Sequence, residues 1–191
     1  MTERTRWQTI ARRIRVPLGF VFAAVFLWLA QPTWLTMVAS LVLVVPGIWL
    51  RAYAAGYVRK NAELTRTGPY AYTRNPLYLG SMMIAFGFAA AAASWVILVV
   101  LAVLFAAIYL PTIQSEESYL REHFAGFDEY AEKVPRLLPR LTAAAFPANE
   151  NASGGRFSAV QWRHHREYNA LMGAGAIYFA LAVRLFLNHH R

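Results

Sequence analysis

The chain has 191 residues, 58% of them hydrophobic and only 15% charged, with 19 basic against 10 acidic side chains. That balance excludes an ordinary soluble domain and makes lipid the expected solvent. The absence of cysteine excludes disulfides, thiolate metal sites and a cysteine nucleophile. The net charge of +9 sits beside apolar runs and carries no nucleic-acid-binding motif, so anionic headgroups are the expected counterpart, with no nucleic acid as partner.

The N-terminal arm holds Arg4, Arg6, Arg12, Arg13 and Arg15 ahead of an uncharged run of 35 residues from Val16 to Leu50. No small-residue cleavage pattern stands near Gln31 and further apolar runs follow, so this is read as a retained helix and not as a signal peptide. A helix of that length spans roughly 50 Å against a hydrocarbon core of about 30 Å, which makes the run two crossings. The break falls at Gln31-Pro32-Thr33, where proline cannot continue a helix and where Trp28 and Trp34 suit an interface.

After the second crossing the chain reads Thr67-Gly68-Pro69-Tyr70, a turn, and then Arg74-Asn75-Pro76. Proline biases Asn75 away from the α region, asparagine is a good N-cap, and Pro76 suits the first helical position, so a third helix is expected to start here. Its free N–H groups, with Arg74 beside them, form a potential anion site.

A second uncharged run, 39 residues from Leu77 to Ser115, is again two crossings, with the turn placed near Ala93-Ser94-Trp95 and Ser94 as the cap. Leu120, Phe124 and Phe127 recur at helical spacing beyond it, so an amphipathic helix is expected to continue from the membrane and to hold Glu116 and Glu117 near the bilayer surface. Val134-Pro135-Arg136-Leu137-Leu138-Pro139 cannot be a regular helix; it is read as a surface stop, or as a segment lying on the bilayer or over a site.

Three units follow: a membrane core over residues 1–141 with its motifs in 66–139, a flexible linker over 142–156, and residues 157–191 as an amphipathic segment with a fifth span from Tyr168 to Leu187. Arg184 in that span is expected to snorkel to the interface. His164-His165 and His189-His190 are neighbours that point about 100° apart on a helix and chelate one ion poorly, so no metal site is expected. The basic residues, 17 of 19, fall in the N-terminal arm and in the segments after the second and fourth spans, while the other turns are uncharged. Positive-inside counting puts the N-terminus and the polar machinery in the cytoplasm and the C-terminus on the opposite side.

The ordered set of Gly68-Pro69-Tyr70, Arg74-x-Pro76-x-Tyr78-x-Gly80, two apolar spans, Glu116-Glu117-x-x-Leu120, Phe124-x-Gly126 with a following tyrosine, and Val134-Pro135 to Pro139 resembles the integral membrane methyltransferases of the isoprenylcysteine carboxyl and phospholipid N-methyltransferase type. The resemblance implies an all-α polytopic bundle of about five spans with a cytoplasmic-face cofactor site. It implies S-adenosylmethionine as cofactor, leaving as S-adenosylhomocysteine, with methyl transfer to a lipophilic acceptor in the bilayer: a prenylated, isoprenylcysteine-type carboxylate first, a phospholipid amine otherwise. Carried over by motif, Arg74, Asn75, Pro76, Tyr78, Leu79 and Gly80 would bind the cofactor from one side and Glu116 and Glu117 from the other, with Arg74 and Glu117 in the catalytic role.

The residues allow that chemistry in their own right, since Arg74 and the helix start can donate to a carboxylate while the two glutamates accept from an ammonium or a ribose. Transfer from a sulfonium needs mainly proximity, and a carboxylate acceptor needs no base. An amine acceptor would need one, with Glu116, Glu117 and His123 as candidates. The family commonly has histidine where this chain has Asn75, which cannot act as a base, and some members have a basic residue where Thr112 stands. Two other readings remain open at this level, a nicotinamide-dependent membrane reductase of similar architecture and a non-enzymatic membrane scaffold.

Overall fold

A computed structural model describes residues 21–58, 63–146, 156–164 and 167–189. The N-terminal arm, Arg59, Lys60, residues 147–155 of the expected linker, Arg166 and one histidine of each adjacent pair lie outside them. All regular structure in the described residues is helical. Helix α1 covers residues 21–29, α2 Trp34–Tyr57, α3 Pro76–Ala91, α4 Trp95–Leu104, α5 Leu110–His123, α6 Phe127–Lys133, α7 Ala159–His164 and α8 Tyr168–His189. A short 3-10 turn occupies Gly68–Ala71.

Three helices are long and apolar enough to cross a membrane, Trp34–Tyr57, the continuous α4–α5 rod Trp95–His123, and Tyr168–Asn188; Pro76–Ala91 is apolar but shorter. The protein is thus an all-α, membrane-embedded bundle, its outward apolar side chains facing the lipid that such helices require.

The uncharged end is built from two turns. Thr33 caps α2 in a reciprocal box, receiving the Thr36 N–H at 3.1 Å while Thr36 Oγ1 receives the Thr33 N–H at 3.0 Å. Thr36 Oγ1 also donates to the Ala91 carbonyl at 3.2 Å, and the Gln31 N–H reaches the Ala92 carbonyl at 2.7 Å, so the turns are bonded to each other. The second turn passes through Ala93 at φ 50°. Ser94 stands at the expected N-cap position of α4 but its hydroxyl makes no capping bond.

Helices α2 and α3 form the tightest contact in the bundle because glycines face each other. A Cβ on Gly47 would lie 2.9 Å from the Gly80 carbonyl oxygen, and one on Gly80 would lie 2.8 Å from that of Gly47. Where apolar surface gains little by leaving lipid, close backbone approach through small residues is what holds helices together. Farther along, Val44 packs into the space above Gly87.

Helix α8 docks on this pair and on α1. The Ser40 and Tyr178 hydroxyls bond at 2.7 Å, Leu181 and Leu185 enter the cluster formed by Ala30, Met37, Ala91 and Ile97, and Arg184 donates to the Trp28 carbonyl at 3.3 Å. Arg184 thus carries its guanidinium to the end of α1, where it meets a helix-end carbonyl at the level of the turn after Trp28.

Between α4 and α5 one wide π turn over Phe105–Tyr109 precedes Pro111. Proline at that position cannot donate and would clash with the carbonyl four residues back, and widening the turn relieves both. The helical run expected through Phe127 is broken. Helix α5 stops at His123, Phe124 is extended, and Gly126 takes φ 83° before α6 begins. The left-handed glycine turns α6 back so that Phe127, Tyr130 and Val134 form a cluster of their own, packed on Leu64, Leu120 and Phe146.

Candidate functional site

The charged end of the bundle encloses a cavity of about 480 Å³ between α2, α3, α5, α6 and the residue preceding α8. Arg51, Arg74, Glu116 and Glu167 line it, and tyrosines 70, 78, 109, 119 and 130 form much of the remaining wall.

One wall is the segment leading into α3. The Arg74 N–H donates to the Pro135 carbonyl at 2.9 Å, the Arg140 N–H to Tyr72 at 3.0 Å and the Ala144 N–H to Ala71 at 2.9 Å. Residues 71–74 and 135–144 are thereby stapled by main-chain bonds, although neither has the periodicity of a strand. The Thr73 hydroxyl donates to the Leu137 carbonyl at 3.0 Å and the Asn75 amide to the Arg136 carbonyl at 3.0 Å. Asn75 therefore stands at the N-cap position of α3 without capping it, because its side chain is turned toward the 134–141 segment. Pro76 occupies the first helical turn, as the local sequence requires.

Arg74 and Glu117 meet. Arg74 Nη2 lies 3.2 Å from Glu117 Oε1 while its Nη1 donates to the Ala131 carbonyl at 3.1 Å. Arg136 takes the other carboxylate oxygen, with Nη2 2.8 Å and Nε 3.1 Å from Oε2. Glu117 is buried, its side chain only 8% exposed, so two guanidiniums compensate one carboxylate in a site of low dielectric. The hydrogen bond to Glu117 raises the pKa of Arg136 above its ordinary value. Arg74 Nε is buried without a hydrogen-bond partner.

Glu116, one residue earlier, points the other way. Its Oε1 accepts from the Tyr78 hydroxyl at 2.8 Å, and the Tyr78 ring meets Tyr109 edge-on at 5.4 Å. The wide turn of the α4–α5 rod sets Tyr109 there, with Phe105 stacked on it at 4.8 Å. Opposite, Arg51 Nη2 and Nε bind Glu167 Oε1 and Oε2 at 3.0 and 3.1 Å, and Arg51 also donates to the Ser81 hydroxyl. Burial holds the Tyr70 and Tyr130 hydroxyls well above the ordinary tyrosine range, so both remain neutral donors; Tyr130 uses its proton on the Tyr70 carbonyl at 2.9 Å.

Of the residues singled out by sequence, Arg74, Asn75, Pro76, Tyr78 and Glu116 line the cavity, whereas Leu79, Gly80 and Glu117 do not. Gly80 lies at the α2–α3 crossing, Leu79 is buried, and Glu117 sits behind the cavity wall in its double ion pair. His123 stacks on Tyr119 at 4.0 Å, exposed, and turns Nδ1 to the Tyr119 carbonyl. Arg51, Glu167 and Arg136 escaped sequence reasoning. The one signal was that each is a charge within reach of an apolar span, and their partners lie 116 and 19 residues away. Among the described residues no three histidine, aspartate or glutamate side chains converge to form a metal site.

Comparison with known proteins gives two results. The profile of the family described as phospholipid methyltransferase matches residues 21–126, more than half of the chain. The nickel-cobalt-cadmium resistance protein NccN of Alcaligenes xylosoxydans xylosoxydans is 38% identical over 95 residues, which cover 50% of this chain and 44% of that protein. The cobalt-zinc-cadmium resistance protein CzcN of Cupriavidus metallidurans is 37% identical over 95 residues, covering 50% of this chain and 43% of that protein. The chain spans less than half the length of either of these curated relatives. No solved structure gives a significant match.

These relatives correct the expectation drawn from the motifs. Both are named for resistance to metals and neither for methyl transfer, which overturns the reading of the chain as an isoprenylcysteine-type or phospholipid methyltransferase enzyme, its S-adenosylmethionine cofactor and its methyl acceptor. A shared fold does not carry a shared activity.

Proposed function

From the premise that the chain belongs to the phospholipid methyltransferase family, we propose that it is a membrane component of cellular resistance to metals such as nickel, cobalt, zinc and cadmium. The observation that carries this reading is the 38% identity to NccN, with CzcN beside it at 37%. The role proposed is tolerance of the cell to these ions.

The working part is the charged cavity, with Arg74, Asn75, Pro76, Tyr78 and Glu116 on its walls and the Arg74–Glu117–Arg136 cluster as the brace behind it. Residues 1–141 form the core and 157–191 an added unit, of which Glu167, the residue preceding α8, supplies one wall. Counting α1, the chain crosses the bilayer five times, and the basic segments place the cavity and N-terminus in the cytoplasm and the C-terminus outside.

The test is expression in a metal-sensitive bacterium, with growth inhibition by each of the four ions as the readout. Wild-type protein raises the tolerated concentration of at least one ion, and Arg51→Ala or Tyr78→Phe, inserted at equal level, reduces that gain. Unchanged tolerance to all four ions in cells that hold correctly inserted wild-type protein would overturn the reading.

A further inference from the structure

The segment from Val134 to Leu141 presents two faces. Its inner face is fixed: Val134 is in the Phe127–Tyr130 cluster, Arg136 is clamped to Glu117, and the backbone is stapled to residues 71–75. Its outer face carries Leu138, 77% exposed, and Leu141, fully exposed. Scattered exposed leucines are ordinary, but two on a proline-braced segment whose backbone is already fixed lose only side-chain rotamer freedom when they find an apolar partner.

Position and charge identify that partner. The staple holds the segment beside residues 71–75, and α3 begins at Pro76, so the leucines lie at the level where the chain enters its apolar span. From Lys133 to Phe146 the sequence contains no acidic residue; Lys133 pairs with Glu129 and Arg136 with Glu117, while the Arg140 guanidinium donates to the Lys133 carbonyl and keeps its charge for a headgroup. Leu138 and Leu141 with Arg140 between them have the chemistry of an interfacial anchor, in which apolar side chains enter the acyl boundary and a basic one meets an anionic headgroup.

We infer that the 134–141 segment is seated on the anionic surface of the bilayer through Leu138 and Leu141. Because Arg136 lies on the inner face of the same segment, contact with the membrane also holds the brace on Glu117 in place. The inference stands independently of the metal-resistance reading.

The lack of cysteine makes a direct test available. Leu138→Cys and Leu141→Cys, each carrying bimane, are reconstituted in phosphatidylcholine vesicles with and without phosphatidylglycerol, with Asp128→Cys on α6 as the aqueous reference. Gel filtration checks that each variant is folded before reconstitution. With phosphatidylglycerol present, bimane at 138 and 141 is expected to shift to the blue, to be quenched by nitroxide-bearing lipid, and to be several-fold less sensitive to aqueous iodide than at 128. In phosphatidylcholine alone the protection falls. Iodide access equal to that at 128 in both vesicles would overturn the inference. Protection from iodide without quenching by lipid would also overturn it, since it would mean a protein surface as the partner. Equal protection in both vesicles would refute the anionic headgroup as the partner.

Discussion

The two ends of the bundle close by different means. Residues 30–36 and 91–94 contain no acidic or basic side chain, and apart from Arg184 on the Trp28 carbonyl this end is joined by main-chain and threonine bonds such as Gln31 to Ala92 and Thr36 to Ala91. At the other end, where residues 51–81 meet 116–144 and Glu167, main-chain bonds are joined by ion pairs between elements distant in sequence: Arg74 and Arg136 on Glu117, and Arg51 on Glu167. Neutral bonds are nearly independent of one another, so the uncharged end degrades gradually. Buried charges are coupled, and removing one leaves its partners uncompensated in a low dielectric.

The largest break is expected at Glu117. Glu117→Ala leaves the largely buried Arg74 without its carboxylate, while the half-exposed Arg136 can turn to water, and should destabilise the protein by about 2–3 kcal/mol, seen as a lower Tm in detergent. Exchanging Arg74, Arg136 and Glu117 together for apolar residues of similar volume should recover much of that loss, which sharpens the difference between a missing partner and a missing pair.

Next is the glycine crossing. Gly80→Ala drives a Cβ toward the Gly47 carbonyl and the Arg51 side chain and should cost about 1–3 kcal/mol, with a broadened gel-filtration profile. A weaker effect is expected at the uncharged end, where Thr36→Val keeps the Thr33 cap but removes the return bond to the Thr33 N–H and the bond to Ala91, and should cost about 1 kcal/mol by thermal unfolding.

The smallest effect is at the surface. The hydrogen bond from Lys133, and its charge, hold the fully exposed Glu129 carboxyl below its ordinary pKa. A depressed carboxylate contributes stability above the ordinary carboxylate range and loses it as pH falls through the lowered value. Because the pair is solvated, Lys133→Ala should leave the Tm at neutral pH within experimental scatter, and the slight difference from wild type should vanish on acidification or in high salt.

The separate fates of Glu116 and Glu117 show what neighbouring residues can hide. In sequence they form one acidic pair; on α5 they point in different directions, Glu116 to the Tyr78 hydroxyl in the cavity and Glu117 to two guanidiniums behind its wall. A helix separates consecutive side chains by about 100°, so the presence of both could be read from sequence but their division of labour could not. Gly80 shows the same limit. Its place in the Arg74-x-Pro76-x-Tyr78-x-Gly80 pattern suggested cofactor contact, and its surroundings in the fold are the backbone of Gly47. The order of motifs carried the family, while the relatives named for metal resistance corrected the activity inferred from it.

The amino-acid sequence by itself determined the membrane environment, the breaks near Pro32 and Ala93, and the start of α3 at Pro76. These depend on local quantities, namely apolar length against bilayer thickness, proline's missing N–H and the conformations a turn permits. Only the tertiary structure decided that Arg51 meets Glu167 across 116 residues, that the 134–141 segment staples to 71–75, and that Asn75 bonds to Arg136 instead of capping its helix. Such contacts follow from the direction in which each helix leaves the bilayer and from how closely Gly47 and Gly80 let two backbones approach. Those quantities belong to the packed bundle as a whole and to no single stretch of the chain.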